Sequence, residues 1–188
     1  MQADPYATGI LDPARDERLV AGLAKFSRDA GIQPHWVWTS IKGVVGSEES
    51  NYLRAFRRHM AHGTRSGLCY VGSENASDIS DRMCAVAGLL TRNYLRVLVI
   101  TAGVLLERVQ AGDTPDQDCL LIPNFFLPKN DGGGVAPWHV AMLYDVLLQR
   151  VASGQQTIVF VASMEGLAHQ YGPSFAHLLK SRFLQIEV

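Results

Sequence analysis

Apolar positions change their spacing part-way along the chain, and the change divides it into two grammars. Residues 1–11 carry no apolar period and read as a loose leader. Asp12 and Pro13 then make an N-cap and first-turn pair, after which Leu19, Leu23 and Phe26 recur at helical spacing until Gly31. Residues 32–46 are irregular and hold Pro34, His35, Trp36 and Trp38. Ser47 caps a second predicted helix with the stripe Tyr52, Leu53, Phe56 and Met60, closed by Gly63. From residue 67 short apolar runs alternate with helical periods. Strands are predicted over Leu68–Val71, Leu95–Thr101, Asp118–Ile122, Thr157–Ala162 and Phe183–Val188. Helices are predicted over 79–93, Ala102–Gln110 and 136–153, from the Ser163 cap, and in another helix that runs to about Arg182.

Strands that alternate with helices imply parallel pairing through right-handed crossovers, with both sheet faces covered. The pattern therefore predicts an α/β three-layer sandwich on a five-stranded, mainly parallel sheet. Residues 1–31 read as a leader and helix, and residues 32–188 as the α/β domain.

Composition narrows the function classes. The 188 residues are 47% hydrophobic and 19% charged, which suits a packed core and excludes a disordered or collagen-like chain. Seventeen basic residues face eighteen acidic ones, a net charge of −1 that disfavours a polybasic nucleic-acid or membrane binder. No secretory signal opens the sequence, and no apolar run is long enough for a bilayer. Cys69, Cys84 and Cys119 each sit in an apolar run, as buried free thiols of a cytoplasmic protein would.

In open α/β sheets ligands bind beyond the carboxyl ends of the strands. The first strand leads into Gly72-Ser73-Glu74-Asn75-Ala76-Ser77-Asp78-Ile79-Ser80. A phosphate-binding loop reads Gly, four residues, then Gly-Lys-Ser/Thr. Counted from Gly72, Ser77 takes the place of the second glycine, Asp78 of the lysine and Ile79 of the magnesium-binding hydroxyl. Asp78 brings a negative charge where phosphate needs a positive one. Like charges at about 4 Å cost about 1 kcal/mol in water and about 4 kcal/mol at an effective dielectric of about 20. A helix N-terminus returns only about 0.3–1 kcal/mol, so Asp78 reads better as an N-cap. After the third strand, Pro123 and Asn124 occupy positions where hydrolysis needs an acidic pair.

The order of these pieces resembles the AAA+ (P-loop NTPase) core of bacterial replicative-helicase loaders and insertion-sequence transposition ATPases. The resemblance is carried by Ser66–Gly72, by Arg96–Ala102 with Leu105 and Leu106, by Asp118–Leu127, by Leu143–Arg150 with Gly154–Val159, and by Leu167–Gly172 with Leu178–Phe183. It covers residues 31–188. It implies an arginine finger at Arg182, which would act in trans. The family's extra helical segment before the third strand, which helps hold single-stranded DNA, is replaced here by the short stretch Ala111–Gln117. No lid domain is expected after the fifth strand.

Other residues admit a functional and a plainer reading. Arg54, Arg57 and Arg58, with Arg65 beyond, could track a phosphate backbone or form a solvated face. Trp36 and Trp38 could stack on a partner or pack the irregular segment on the core. His59 and His62 lack a third metal ligand, and no metal site is expected. Ser163 reads as a helix cap, since Val161 and Glu165 stand where a nucleophile elbow has glycines. The Gly132–Gly134 loop reads as a flexible connection that could clasp a partner.

The reading that joins these observations is a catalytically degenerate AAA+-like protein that binds other proteins: a helicase, a loader, transposition machinery or its own copies. No catalytic residue and no cofactor is expected. One alternative is a nucleotide-dependent loader or transposition ATPase that holds ATP and magnesium with an unorthodox Gly72, Ser73, Ser77, Asp78 and Ser80 loop. Another is a nucleic-acid-binding adaptor.

Overall fold

The computed structural model describes residues 4–72, 76–126 and 135–188. Five parallel strands form one sheet: β1 (Gly67–Val71), β2 (Val97–Val99), β3 (Cys119–Ile122), β4 (Gln156–Val161) and β5 (Phe183–Glu187), in the order β2-β3-β4-β1-β5. Every pairing is parallel, so the expected mainly parallel sheet is parallel throughout. The central strands β1, β3 and β4 are apolar because helices cover both faces.

Side chains alternate between the faces with period two. Leu68 and Tyr70 of β1 join one core cluster, whereas Cys69 joins the other. The first cluster is covered by α1 (Glu17–Ala21), α2 (Leu23–Asp29), a 3₁₀ helix over Pro34–Trp38, α3 (Ser47–Arg54), α4 (Phe56–His62) and α5 (Ala76–Arg92). The second is covered by α6 (Ala102–Gln110), α7 (Pro137–Ala152), α8 (Met164–Tyr171) and α9 (Pro173–Arg182). Leu11, Leu19 and Leu23, from the predicted leader and helix, belong to the same cluster as Leu68 and Ile158.

Several predicted boundaries shift for identifiable reasons. The first helix divides at Gly22, against whose Cα the Phe26 ring packs. The second is interrupted at Ala55, although His59 N–H still bonds back to the Ala55 carbonyl at 3.0 Å. The two helices predicted after the fourth strand meet at Gly172–Pro173, where proline cannot continue the bonding of the preceding turn. The second strand shrinks to Val97–Val99 because Leu95 N–H is committed to the Leu90 carbonyl, closing α5. The irregular segment contains the 3₁₀ helix, which lies close on α5: a Cβ at Gly88 would come within 2.0 Å of the Trp36 carbonyl oxygen.

A buried arginine locks the strand-start end of the sheet. Arg150 on α7 is 1% exposed and donates to Thr157 Oγ1 at 3.0 Å and to the carbonyls of Pro115, Gln117 and Gln156 at 3.2, 3.1 and 2.6 Å. Burial lowers its pKa to about 10. Its fork thus joins α7 to the segments entering β3 and β4. Residues 111–117 make the short connection the sequence suggests, held by Arg108–Asp113 at 2.7 Å and Arg96–Asp116 at 2.9 Å.

Candidate functional site

The carboxyl ends of β1, β4 and β5 surround a cavity of about 740 Å³. Glu48, Glu49, Val71, Ser163, Lys180 and Glu187 are among its lining residues. Its exposed charges are the two carboxylates Glu48 and Glu187 against the Lys180 ammonium, which makes it a poor host for a polyphosphate.

Gly72 leaves β1 with φ 153°, and a Cβ there would meet the Val188 carbonyl oxygen at 1.8 Å. Glycine is required at this point by the close approach of the chain beyond β5, whose Val188 N–H bonds to the Val71 carbonyl at 3.0 Å. Ser73 and Glu74 lie outside the described residues, as do the Ser77 side chain and the Gly132–Gly134 loop. Helix α5 starts at Ala76 rather than at 79, so Asp78 is not the N-cap the sequence suggested; it lies within the first turn. That position still suits a carboxylate, which faces the positive end of the helix dipole. Ile79 is fully buried in the core, and Ser80 is half-buried on the same helix.

After β3 the chain turns inward rather than presenting acids. Asn124 Oδ1 accepts the Phe126 N–H at 3.1 Å, and Phe125 is fully buried beside Tyr171 and Phe175. The Tyr171 hydroxyl donates to the Phe125 carbonyl at 2.7 Å, which fixes the turn. Ser163 caps α8 by accepting the Gly166 N–H at 2.9 Å, as its spacing predicts.

The sequence reading missed one group in the wall of the cavity. Glu49 is fully buried and accepts a hydrogen bond from the Tyr70 hydroxyl, while the Arg82 guanidinium lies 5.6 Å from the Tyr70 ring centre. Burial, reinforced by Glu49, pushes the Tyr70 hydroxyl well above its ordinary pKa. A signal for Glu49 existed: with Tyr52, Leu53 and Phe56 it completes the i, i+3, i+4, i+7 stripe, where an acid is out of place.

The remaining candidates are dispersed. Arg182 is exposed at the start of β5, where its carbonyl accepts the Ser66 N–H at 2.9 Å. A five-residue strand, roughly 17 Å long, separates that end from Gly72. Arg182 therefore cannot serve its own strand-end cavity. Arg54, Arg57, Arg58 and Arg65 are all exposed but do not act as one face. Arg57 donates to the Asn93 carbonyl at 2.7 Å and closes the end of α5, whereas Arg58 and Arg65 flank His59. Burial first, and then those two guanidinium groups, lowers the His59 pKa. The His59 ring stacks on Tyr52 and its Nδ1 lies 2.7 Å from Thr64 Oγ1. Among the described residues no three His, Cys, Asp or Glu side chains converge as a metal site. Trp38 is buried and Trp36 half-buried against the same core, so Trp38 offers no surface for docking.

No protein-family model and no curated protein matches the sequence. Solved structures do match. The DnaC helicase loader superposes with a TM-score of 0.54 at 12% identity, over 77% of this chain and 92% of that one. DnaI gives 0.57 at 13% identity, over 84% and 91%. The replication initiator DnaA, bound to AMPPCP and single-stranded DNA, gives 0.54 at 11% identity, over 79% and 49%. At such identities the likeness is one of fold, and it agrees with the strand order, the parallel pairing and the crossover helices: the chain has the AAA+-type α/β fold of the helicase loaders and the replication initiator.

Proposed function

We propose that this protein is a catalytically degenerate AAA+-like subunit that works by binding other proteins in DNA replication or transposition. The observation that carries the reading is the chemistry of the strand ends. Asp78 lies in the first turn of α5, and Pro123 and Asn124 follow β3, where a nucleotide hydrolase needs a lysine and an acidic pair. The acidic lining of the cavity supports the same conclusion. The fold it shares with helicase loaders and an initiator favours a replicative helicase, a loader or a second copy as the partner. The position of Arg182 restricts any role as a finger to a neighbour's site.

Calorimetric titration with ATP and magnesium tests this reading. Heats of dilution alone are expected. Micromolar binding accompanied by turnover, both abolished by Asp78→Ala, would overturn it and establish the nucleotide-dependent alternative with the unorthodox loop.

A further inference from the structure

The groove between the 41–46 segment, α3, α4 and the end of α5 has a volume of about 770 Å³ and meets the strand-end cavity at Gly46 and Ser47. Its apolar lining includes the half-buried Ile41, Val45 and Leu89. Three exposed cations, Lys42, Arg54 and Arg57, border it, and no carboxylate lines it. Arg57 and Arg54 bond only to neutral oxygens, the Asn93 carbonyl and Asn51 Oδ1, so the positive charge of the rim stays unmatched. In a chain of net charge −1, this is a concentrated and oriented charge on an apolar floor.

We infer that this groove docks an acidic amphipathic helix of a partner protein. The apolar floor would take residues at i, i+3, i+4 and i+7, while carboxylates on the flanks of that helix meet Lys42, Arg54 and Arg57. An extended peptide is less suited. It would need a sheet edge to pair with, and the groove is walled by α3, α4, the end of α5 and the 41–46 segment, with no described strand in its lining. Nucleic acid is less suited as well. The one aromatic lining residue, Phe56, is 2% exposed and offers no stacking face, and Arg58 and Arg65 lie away from the groove beside His59.

The inference rests on the reading of the chain as a protein-binding subunit, but its test does not involve nucleotide. The ¹⁵N-labelled protein is titrated with two designed helical peptides of identical leucine pattern, one carrying glutamate and the other lysine at the remaining positions. The Leu/Glu peptide is expected to shift the amides of residues 41–57 and 89–95. The exposed double variant Lys42→Glu with Arg54→Glu should weaken it by about tenfold or more and reverse the preference toward the Leu/Lys peptide. The proposal is overturned if those amides do not move or if the double variant binds the Leu/Glu peptide as tightly. It is equally overturned if a single-stranded DNA oligonucleotide displaces that peptide from the same residues. Because strand-end chemistry is untouched, ATP turnover with intact peptide binding would sink only the degeneracy.

Discussion

Tyr94 holds φ 58°, a left-handed conformation that costs a side chain about 1–2 kcal/mol. It does so as the closing residue of α5, with its N–H on the Thr91 carbonyl at 2.9 Å and Leu95 N–H on Leu90 at 3.1 Å. The ring is 59% exposed and recovers little by packing. Tyr94→Gly is therefore expected to stabilise the fold by about 0.5–1 kcal/mol after the greater chain entropy of glycine is subtracted. Urea denaturation should show a raised midpoint and an unchanged slope, whereas Tyr94→Ala should give no such gain. A lowered midpoint for the glycine variant would mean the ring makes a contact that matters. At this scale the sequence was informative about Ser163, whose cap is local, and misleading about Asp78. A stretch holding Ser73, Asn75, Ser77 and Asp78 within six residues offers several competing caps, and local chemistry does not choose among them.

Elements were predicted in type and order, but their ends were decided by neighbours. The apolar run Leu95–Thr101 is long enough for a full strand, yet only three residues pair, because α5 closes onto Leu95 at one end and Thr101 caps α6 at the other, its hydroxyl accepting the Val104 N–H. Arg150 is the strongest case of an element joined by a residue that periodicity treats as polar surface. Its guanidinium satisfies carbonyls from the entries of both β3 and β4. Arg150→Met should cost about 3 kcal/mol or more, since it leaves several buried carbonyls without donors. Equilibrium urea unfolding checks this, and a loss below about 1 kcal/mol would show that water replaces the fork. Glu49 belongs to the same class: its place in the helical stripe was visible, but the tyrosine that holds it comes from β1, 21 residues later.

For the molecule as a whole, the two apolar clusters lie on opposite sheet faces, and the cysteines report on how tightly those faces are closed. Cys69 and Cys119 are fully buried in β1 and β3, and burial pushes both thiols up to about 12. Cys84 is half-buried on α5. Native protein treated with a thiol-specific disulfide reagent at mild alkaline pH should lose at most one thiol rapidly and all three in denaturant. Rapid loss of two or more from the native state would mean the sheet opens locally. Charge shows most plainly what each level decides. The sequence by itself determined the α/β class and the parallel pairing, because apolar periods are local properties of the chain. Only the tertiary structure decided where charge acts. It separated Arg54 and Arg57 from Arg58 and Arg65, set Arg182 a strand's length from Gly72, and buried Glu49 against Tyr70 in the wall of a cavity. Those distances arise when parallel strands bring segments far apart in sequence into register, which no local pattern encodes.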